Sequence, residues 1–475
     1  MRKSLTKIGV GQLTLTFTEA QAPVKDDTEE TQGNRSAASS SVPLVEHAKE
    51  RKRKWHSLID KVYALPNLHA AWKKVAANHG SAGVDAMSVT RFAERADERL
   101  LCLHADLRNK TYRPQAVRRV LIPKSGGGSR PLGIPTVRDR IVQQALLQVL
   151  EPIFEAIFSS RSHGFRKERG CHSALVVVDR AIGHGYSWVV DADIERFFDT
   201  VDHELLLSAV NEEVSDGSVL RLLRHILKAG VQMPSVSLTE PTELGTPQGG
   251  PISPLLANIY LHAFDCRMTA RGYGLVRYAD DFVIFARSES EAEEALSFAR
   301  EILEGELKLR LHPEKTRVVS VARGFEFLGF HYFWDQKTGL SCKEVRRKSV
   351  ARFRDAIRER TPRLHTQRPV KRRHLTVARL RKNQRVQQML KRVNLFLRGW
   401  HWYFKAMRSR HKSCLQDFDR FTRRRIRTAI TGRTGSGWWH VKLDNATLAE
   451  IGYVGVEALD AQNRAGQLRP LVRKD

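Results

Sequence analysis

The sequence predicts an α+β fold, a body of mixed strands and helices followed by an all-helical segment. Three observations carry this. Short apolar runs that read as strands, at 188–193, 275–279 and 282–286, lie between stretches of helical periodicity. Beyond Lys343 the apolar residues recur at helical spacing: Val350, Phe353 and Ile357, then Val377, Leu380, Val386, Met389, Val393, Leu397 and Trp400. Charge is also uneven. The 475 residues carry a formal charge of +28, and the stretch from Lys343 to Arg433 holds 30 Lys+Arg against 5 Asp+Glu, a balance of +25.

Taken in order, residues 1–48 read as a disordered leader, without periodicity and rich in Ser, Thr, Gln and Glu. Leu58, Val62, Leu68, Trp72 and Val75 suit amphipathic helices, a turn follows at Gly80-Ser81-Ala82-Gly83, and helix returns from Phe92 to Leu107. Residues 117–135 alternate and break around Gly126-Gly127-Gly128, which predicts two short strands and a hairpin loop. That loop lacks the Gly-x4-Gly-Lys-Ser/Thr spacing and opens no helix, so it is not a P-loop. A helix is expected over 138–158, then mixed structure to about residue 335. Pro362 and Pro369 separate two of the later helices. Residues 434–475 read as a short tail with no Cys pair or His-rich metal motif, so no HNH endonuclease is expected there.

Several classes are excluded. No apolar run reaches the roughly 18 residues a membrane helix needs. The basic start is not followed by an apolar stretch and cleavage site, and Glu19, Asp26, Asp27, Glu29 and Glu30 argue against a transit peptide. The five cysteines are scattered and form no Cys-x-x-Cys pair, so neither a disulfide framework nor a zinc knuckle is indicated. A reducing, cytoplasmic setting is expected. The basic excess predicts salt-sensitive attraction to a polyanion, and its alternation with apolar helical stripes favours nucleic acid over a membrane surface.

The chemistry centres on carboxylates. Asp280 and Asp281 sit between two apolar runs, where Asp suits a tight hairpin turn. A surface turn is the plain reading. Two adjacent carboxylates also repel, and a cation relieves that repulsion. Asp193 ends an apolar strand upstream. Carboxylates at a strand end and on a neighbouring hairpin are what two-metal phosphoryl transfer needs, and hard oxygen ligands select Mg²⁺, with Mn²⁺ as a substitute. Asp191 shares the strand face of Asp193 and is the competing ligand.

In this order the motifs resemble those of reverse transcriptases, most closely the group II intron-encoded reverse transcriptase/maturases of the endonuclease-lacking type. The series runs through Gly80–Asp85 of the first block, Ile122-Pro123-Lys124 with Arg130-Pro131-Leu132-Gly133-Ile134-Pro135, Ser162-His163-Gly164-Phe165-Arg166 and the Asp193 block. It continues with Gly245-Thr246-Pro247-Gln248-Gly249-Gly250, Tyr278-Ala279-Asp280-Asp281, His312-Pro313-Glu314-Lys315-Thr316 and Phe327-Leu328-Gly329-Phe330. Arg398-Gly399-Trp400-His401-Trp402-Tyr403-Phe404 resembles the maturase, or X, domain.

The resemblance implies a right-hand polymerase: fingers at 49–140, palm at 141–340, and a helical thumb and X domain at 341–433. It implies Asp193, Asp280 and Asp281 as catalytic residues that hold two Mg²⁺ with the Ile194 carbonyl. Lys124, Arg130, Phe198, Gln248 and Lys315 would bind the nucleotide, with Phe198 as a gate against a ribose 2′-hydroxyl and Leu328-Gly329 supporting the primer end. Arg398, Trp400, Trp402, Tyr403, Arg423, Arg424 and Arg425 would bind RNA. Lys124, Arg130 and Lys315 also suit ordinary surface charges, Phe198 suits core beside Phe197, and aromatics in amphipathic helices suit core. The expected partners are group II intron RNA, an RNA template with a DNA primer, deoxynucleoside triphosphates and a DNA target; dimerisation stays open. The expected function is RNA-directed DNA synthesis joined to intron splicing and retrohoming. A retron, diversity-generating, defence or CRISPR-associated reverse transcriptase, and a non-catalytic RNA-binding splicing factor, are the alternatives.

Overall fold

The computed structural model describes residues 54–123, 129–232, 239–240, 243–246, 249–335, 339–364, 375–407, 411–434 and 442–467. The expected leader, Lys124 and Gln248 lie outside them. The chain is mixed α+β, with small sheets and many helices. It forms two compact units that interleave in sequence: residues up to Val120 with Leu132–Ser173 and Arg196–Ala263, and Leu121–Pro131 with Ala174–Glu195 and everything from Phe264.

The first unit is built on helices. Leu65–Ala77 and Val137–Glu155 pack together through Leu68, Ala71, Val75, Ile141 and Ala145, all buried. The longer helix starts where Thr136 caps it, its Oγ1 accepting from the Asp139 backbone N–H at 3.1 Å. Asp139 in turn accepts from the Tyr112 hydroxyl at 2.6 Å. Asp216 fastens two distant helix starts. Its carboxylate accepts from the backbone N–H groups of Leu58 and Ile59 at 2.7 and 2.9 Å, and from those of Ser218 and Val219 at 2.8 and 3.2 Å. Burial alone would raise the Asp216 pKa, but these four donors hold it below the usual carboxylate range. The expected strands are Val117–Pro123 and Ser129–Ile134, and the first runs parallel to a short strand through Val117 and Val231.

The second unit holds an antiparallel four-stranded sheet in the order Gly274–Tyr278, Asp281–Ala286, Trp188–Asp193, Arg317–Ser320. Alternation sorts its side chains to two faces. Val189, Val276, Val283 and Phe285 face a core shared with Ala174, Leu175, Val178 and Ile182 of the helix Cys171–Gly183. On the other face, the helix Glu289–Arg300 covers the three strands after the first, and Phe264 packs edge-on to Phe282 at 5.1 Å between centroids. A three-stranded sheet, Phe325–Phe327, Phe330–Asp335 and Leu340–Val345, adds Phe325, Phe327, Phe330, Tyr332 and Val345 to the first core.

Two expectations need correction here. Helix does not begin at Lys343: that residue lies in the last strand, buried, and its Nζ donates to Asp179 at 2.6 Å. The helices start at Arg347 and run as Arg347–Arg360, Val377–Lys382, Gln384–Phe404 and His411–Thr431. Nor is 434–475 merely a tail. Asn445–Glu450 and Val456–Arg464 are helices, and Leu448, Val456 and Leu459 on them join the same core together with Ile451, which caps the first. Asp419 secures them, accepting from the Tyr453 hydroxyl at 2.9 Å and the Val456 backbone N–H at 2.7 Å.

Candidate active site

The expected hairpin is present, with its turn placed one residue earlier than the apolar pattern suggests. Strands Gly274–Tyr278 and Asp281–Ala286 leave a two-residue turn, Ala279-Asp280, and Ala279 takes a left-handed φ of 59°. Asp281 is therefore already in the strand, where it pairs directly with Asp193. On that one face the cross-strand pairs run Val189 with Phe285, Asp191 with Val283, and Asp193 with Asp281. The face passes from apolar core to acidic tip within three pairs, with Asp280 in the adjoining turn.

Each neighbouring carboxylate has a cation. Lys315, in the turn after His312, places Nζ 2.5 Å from Asp193 Oδ2. Arg317 pairs across strands with Asp191 and donates to its Oδ2 at 3.1 Å. Burial raises the Asp191 pKa even so. Asp281 is pushed up to about 8, first by burial and then by the charges of Asp191, Asp280 and Asp193, with Arg346 pulling it down.

Ile194 forms a β-bridge with Leu311, but the flanking residues carry the hydrogen bonds. The Glu195 N–H donates to the Arg310 carbonyl and the His312 N–H to the Asp193 carbonyl, both at 2.8 Å. Ile194 is thus the non-hydrogen-bonded member, and its own carbonyl points away from Leu311.

These groups fit a hard divalent cation. Burial raises Asp281 first and the neighbouring carboxylates add to it, and a cation among them would offset that added repulsion. Among the described residues no three His, Cys, Asp or Glu side chains make a ready cage. Mg²⁺ is characteristically held by one or two carboxylates while substrate phosphates and water complete its shell.

Residues 122–332 match the family model described as reverse transcriptase (RNA-dependent DNA polymerase). Protein YkfC of Escherichia coli (strain K12) is 39% identical over 286 residues, which cover 52% of this chain and 74% of that protein. The chain belongs to the reverse transcriptase family. It carries an RNA-directed DNA polymerase domain. The group II intron-encoded protein LtrA of Lactococcus lactis subsp. cremoris is 43% identical over 171 residues, 36% of this reverse transcriptase but only 28% of LtrA. Among solved structures, a chain of the partial Cas6-RT-Cas1--Cas2 complex is 25% identical, with a TM-score of 0.35, over 53% of this chain and 43% of that one.

The other predicted residues of the reverse transcriptase fall into three groups. Lys124 and Gln248 lie outside the described residues, and Arg130 is located only as a member of the strand Ser129–Ile134. Next to Gln248, Gly249 has φ 120°, and a Cβ there would meet the Gly133 carbonyl at 2.5 Å, so only glycine fits this close contact between two backbone segments. Phe198 keeps a half-exposed ring while Phe197 takes the core position beside it, the two rings 5.3 Å apart. The Phe198 carbonyl accepts from the Thr246 N–H at 2.7 Å.

Of the aromatic RNA-binding candidates, Trp400 needs correction. Trp400 is buried against Phe353, Phe404 and Phe418, with centroids 4.9, 4.8 and 4.4 Å away. It lies on the apolar stripe of its helix and offers no open face to a base. Tyr403 stacks on Phe330, and its hydroxyl donates to the Leu328 carbonyl at 2.9 Å. Trp402 is half-buried, with Lys405 Nζ 3.3 Å from its ring centroid. Among the arginines, Arg398 and Arg424 are exposed. Arg423 lies 3.8 Å from Asp419, and Arg425 donates to the Thr361 carbonyl at 3.1 Å.

Two features escaped the sequence reading. Leu328 and Gly329 form the turn before Phe330 with φ of 47° and 83°, and Tyr403 reaches that turn from 75 residues away. Arg277 is fully buried beside the acidic hairpin. A signal for the second was available: a lone arginine in the otherwise apolar strand Leu275-Val276-Arg277-Tyr278 requires a buried partner.

Proposed function

We propose that this reverse transcriptase uses Asp193, Asp280 and Asp281 to copy RNA into DNA. The observation that carries the assignment is the direct cross-strand pairing of Asp193 with Asp281, with Asp280 in the adjoining turn. In the reaction a primer 3′-hydroxyl bonds to the α-phosphorus of a deoxynucleoside triphosphate as the bond to pyrophosphate breaks. Asp193 and Asp280, with Asp281 and the Ile194 carbonyl, would hold Mg²⁺. When bound, the metal supplies positive charge to the attacking and leaving oxygens. Lys315 pairs with Asp193 and would neutralise it or a substrate phosphate, and Lys124, Arg130 and Gln248 would supply the other nucleotide contacts. Phe198 would exclude the 2′-hydroxyl. The right-hand plan of fingers, palm and helical thumb with X domain belongs to the same proposal.

Asp280→Asn and Asp193→Ala should abolish primer extension on an RNA template while leaving RNA binding within a few-fold of the parent. Substantial product from either variant would remove the assignment.

A second role, as maturase, draws on the basic helices after Arg346 and on the partial likeness to intron-encoded proteins. A protein that binds only the folded intron shifts its RNA towards that fold. Splicing of a candidate intron at low Mg²⁺, with and without protein, tests this. Equal splicing in both arms would leave the polymerase reading standing alone.

A further inference from the structure

Arg277 lies on the sheet face opposite the acidic tip. It pairs across strands with Phe282, whereas Tyr278 pairs with Asp281. Its side chain and that of Asp265, from the second half of the helix Ser253–Ala270, are both 0% exposed. The guanidinium grips the carboxylate with two donors, Nε to Oδ1 at 2.6 Å and Nη2 to Oδ2. Its Nη1 donates to the carbonyl of Ala279 at 2.8 Å.

That acceptor belongs to the peptide joining Ala279 to Asp280. Ala279 holds a left-handed φ of 59°, a region that alanine rarely occupies, so the turn needs an outside hold. The planar guanidinium provides it because its fork is fixed: with two donors committed to Asp265, the direction of the third is set. Arg277 is neutralised by Asp265 and faces away from the carboxylates, so what it contributes is orientation.

We propose that the buried Asp265–Arg277 pair is a positioning device, which fixes the Ala279–Asp280 peptide and thereby aims the catalytic carboxylates. This rests on the reading of Asp280 and Asp281 as catalytic. Arg277 and Asp265 are positioning residues and touch no substrate.

The decisive variant is the double Arg277→Met/Asp265→Leu. Replacing both members of a buried ion pair by apolar residues of similar volume is often neutral or stabilising, whereas removing one member strands a buried charge. The double variant therefore keeps the fold and removes the donor to Ala279. Measured on the full chain with an RNA template, DNA primer and dNTPs, it should melt within a few degrees of the parent and bind template–primer with unchanged affinity. The KM for dNTP should stay within about twofold, kcat should fall tenfold or more, and the Mg²⁺ concentration for half-maximal rate should rise several-fold. A folded double variant with parental kcat and Mg²⁺ dependence would overturn the proposal.

Arg277→Lys gives an independent measurement should the double variant fail to fold. A single ammonium cannot hold the bidentate grip and the third bond in fixed geometry, so its Mg²⁺ requirement should also rise; an unchanged requirement counts against positioning. Asp280→Asn is run in parallel. If it retains activity, the catalytic reading falls and this inference with it. If it is inactive while the double variant is parental, only the inference falls.

Discussion

Trp400 and the exposed arginines of the C-terminal helices divide stability from RNA binding, and the division can be measured. Trp400 makes three ring contacts within 5 Å and is 8% exposed. Truncating such a residue costs about 3–5 kcal/mol through lost transfer energy and the cavity left behind. In a cooperative unit of roughly 200 residues, at about 2–4 °C per kcal/mol, Trp400→Ala should lower Tm by about 10 °C. Arg398 and Arg424 are exposed, so their replacement by alanine should change stability by no more than about 0.5 kcal/mol. Each phosphate contact they make should appear instead in the salt dependence of binding, at about 0.7 of the log–log slope per contact on single strands and about 0.9 on duplex. The double variant Arg398→Ala/Arg424→Ala should thus flatten the slope by up to about 1.4–1.8 at unchanged Tm. Differential scanning fluorimetry and filter binding across a salt series supply both readouts. The informative control is Trp400→Phe, which keeps an apolar ring in the cavity. If it folds with a Tm near the parent yet binds RNA more than tenfold more weakly, Trp400 contacts RNA after all and the argument from burial is wrong.

Other expectations are simpler. Phe198→Ala should raise ribonucleotide incorporation relative to deoxynucleotide by about tenfold or more, since discriminating one substrate group is worth about 1–3 kcal/mol; parallel primer extensions with rNTPs and dNTPs read it directly. Asp216→Ala removes acceptors for four backbone N–H groups and should cost about 2–4 kcal/mol at neutral pH. Because the folded-state pKa of Asp216 is lowered, that stabilisation is present above the unfolded value of about 3.9 and is lost as pH falls through the folded pKa. The parent and variant melting curves should therefore converge only at strongly acidic pH. Tyr403→Phe deletes one hydrogen bond to the Leu328 carbonyl and should cost about 1 kcal/mol, measured by urea unfolding, with RNA affinity unchanged.

How much of this was legible in the sequence depends on whether the deciding interaction is local. The strand Trp188–Asp193 was readable to the residue because its apolar run ends at a carboxylate. The turn at Ala279-Asp280 was misplaced by one residue: alanine reads as strand, and nothing in its chemistry announces a left-handed φ. At Trp400 two local cues conflicted. Its aromatic ring suggested base stacking, while its place on the stripe Val386, Met389, Val393, Leu397 predicted core, and periodicity proved the better guide. The helices after residue 444 were underestimated for a similar reason. Leu448, Ile451, Val456 and Leu459 recur at wide intervals among polar residues, and their burial depends on the long helices they pack against. Asp216 with Leu58, 158 residues apart, and Tyr403 with Leu328 are joined only by the fold.

The two sides of the proposed catalytic hairpin differ in how readily their charges can exchange partners. On the acidic side, Lys315 is 57% exposed and Asp193 31%, so their contact is an accessible ion pair, worth about 0–1 kcal/mol and easily broken. Asp191 and Arg317 are 16% and 52% exposed, with the cation again the more open partner. On the back, Arg277 and Asp265 are both sealed, and separating them would leave a buried charge at a cost of about 3–5 kcal/mol. A site that must accept a cation and a polyphosphate and then release product needs loosely held charges towards solvent. It also needs a turn that does not relax when those charges change partners. The exposed lysine and the sealed arginine meet these opposite requirements from the two faces of one sheet. Removing Lys315 should therefore alter the rate with little effect on folding, whereas removing Arg277 alone should impair both.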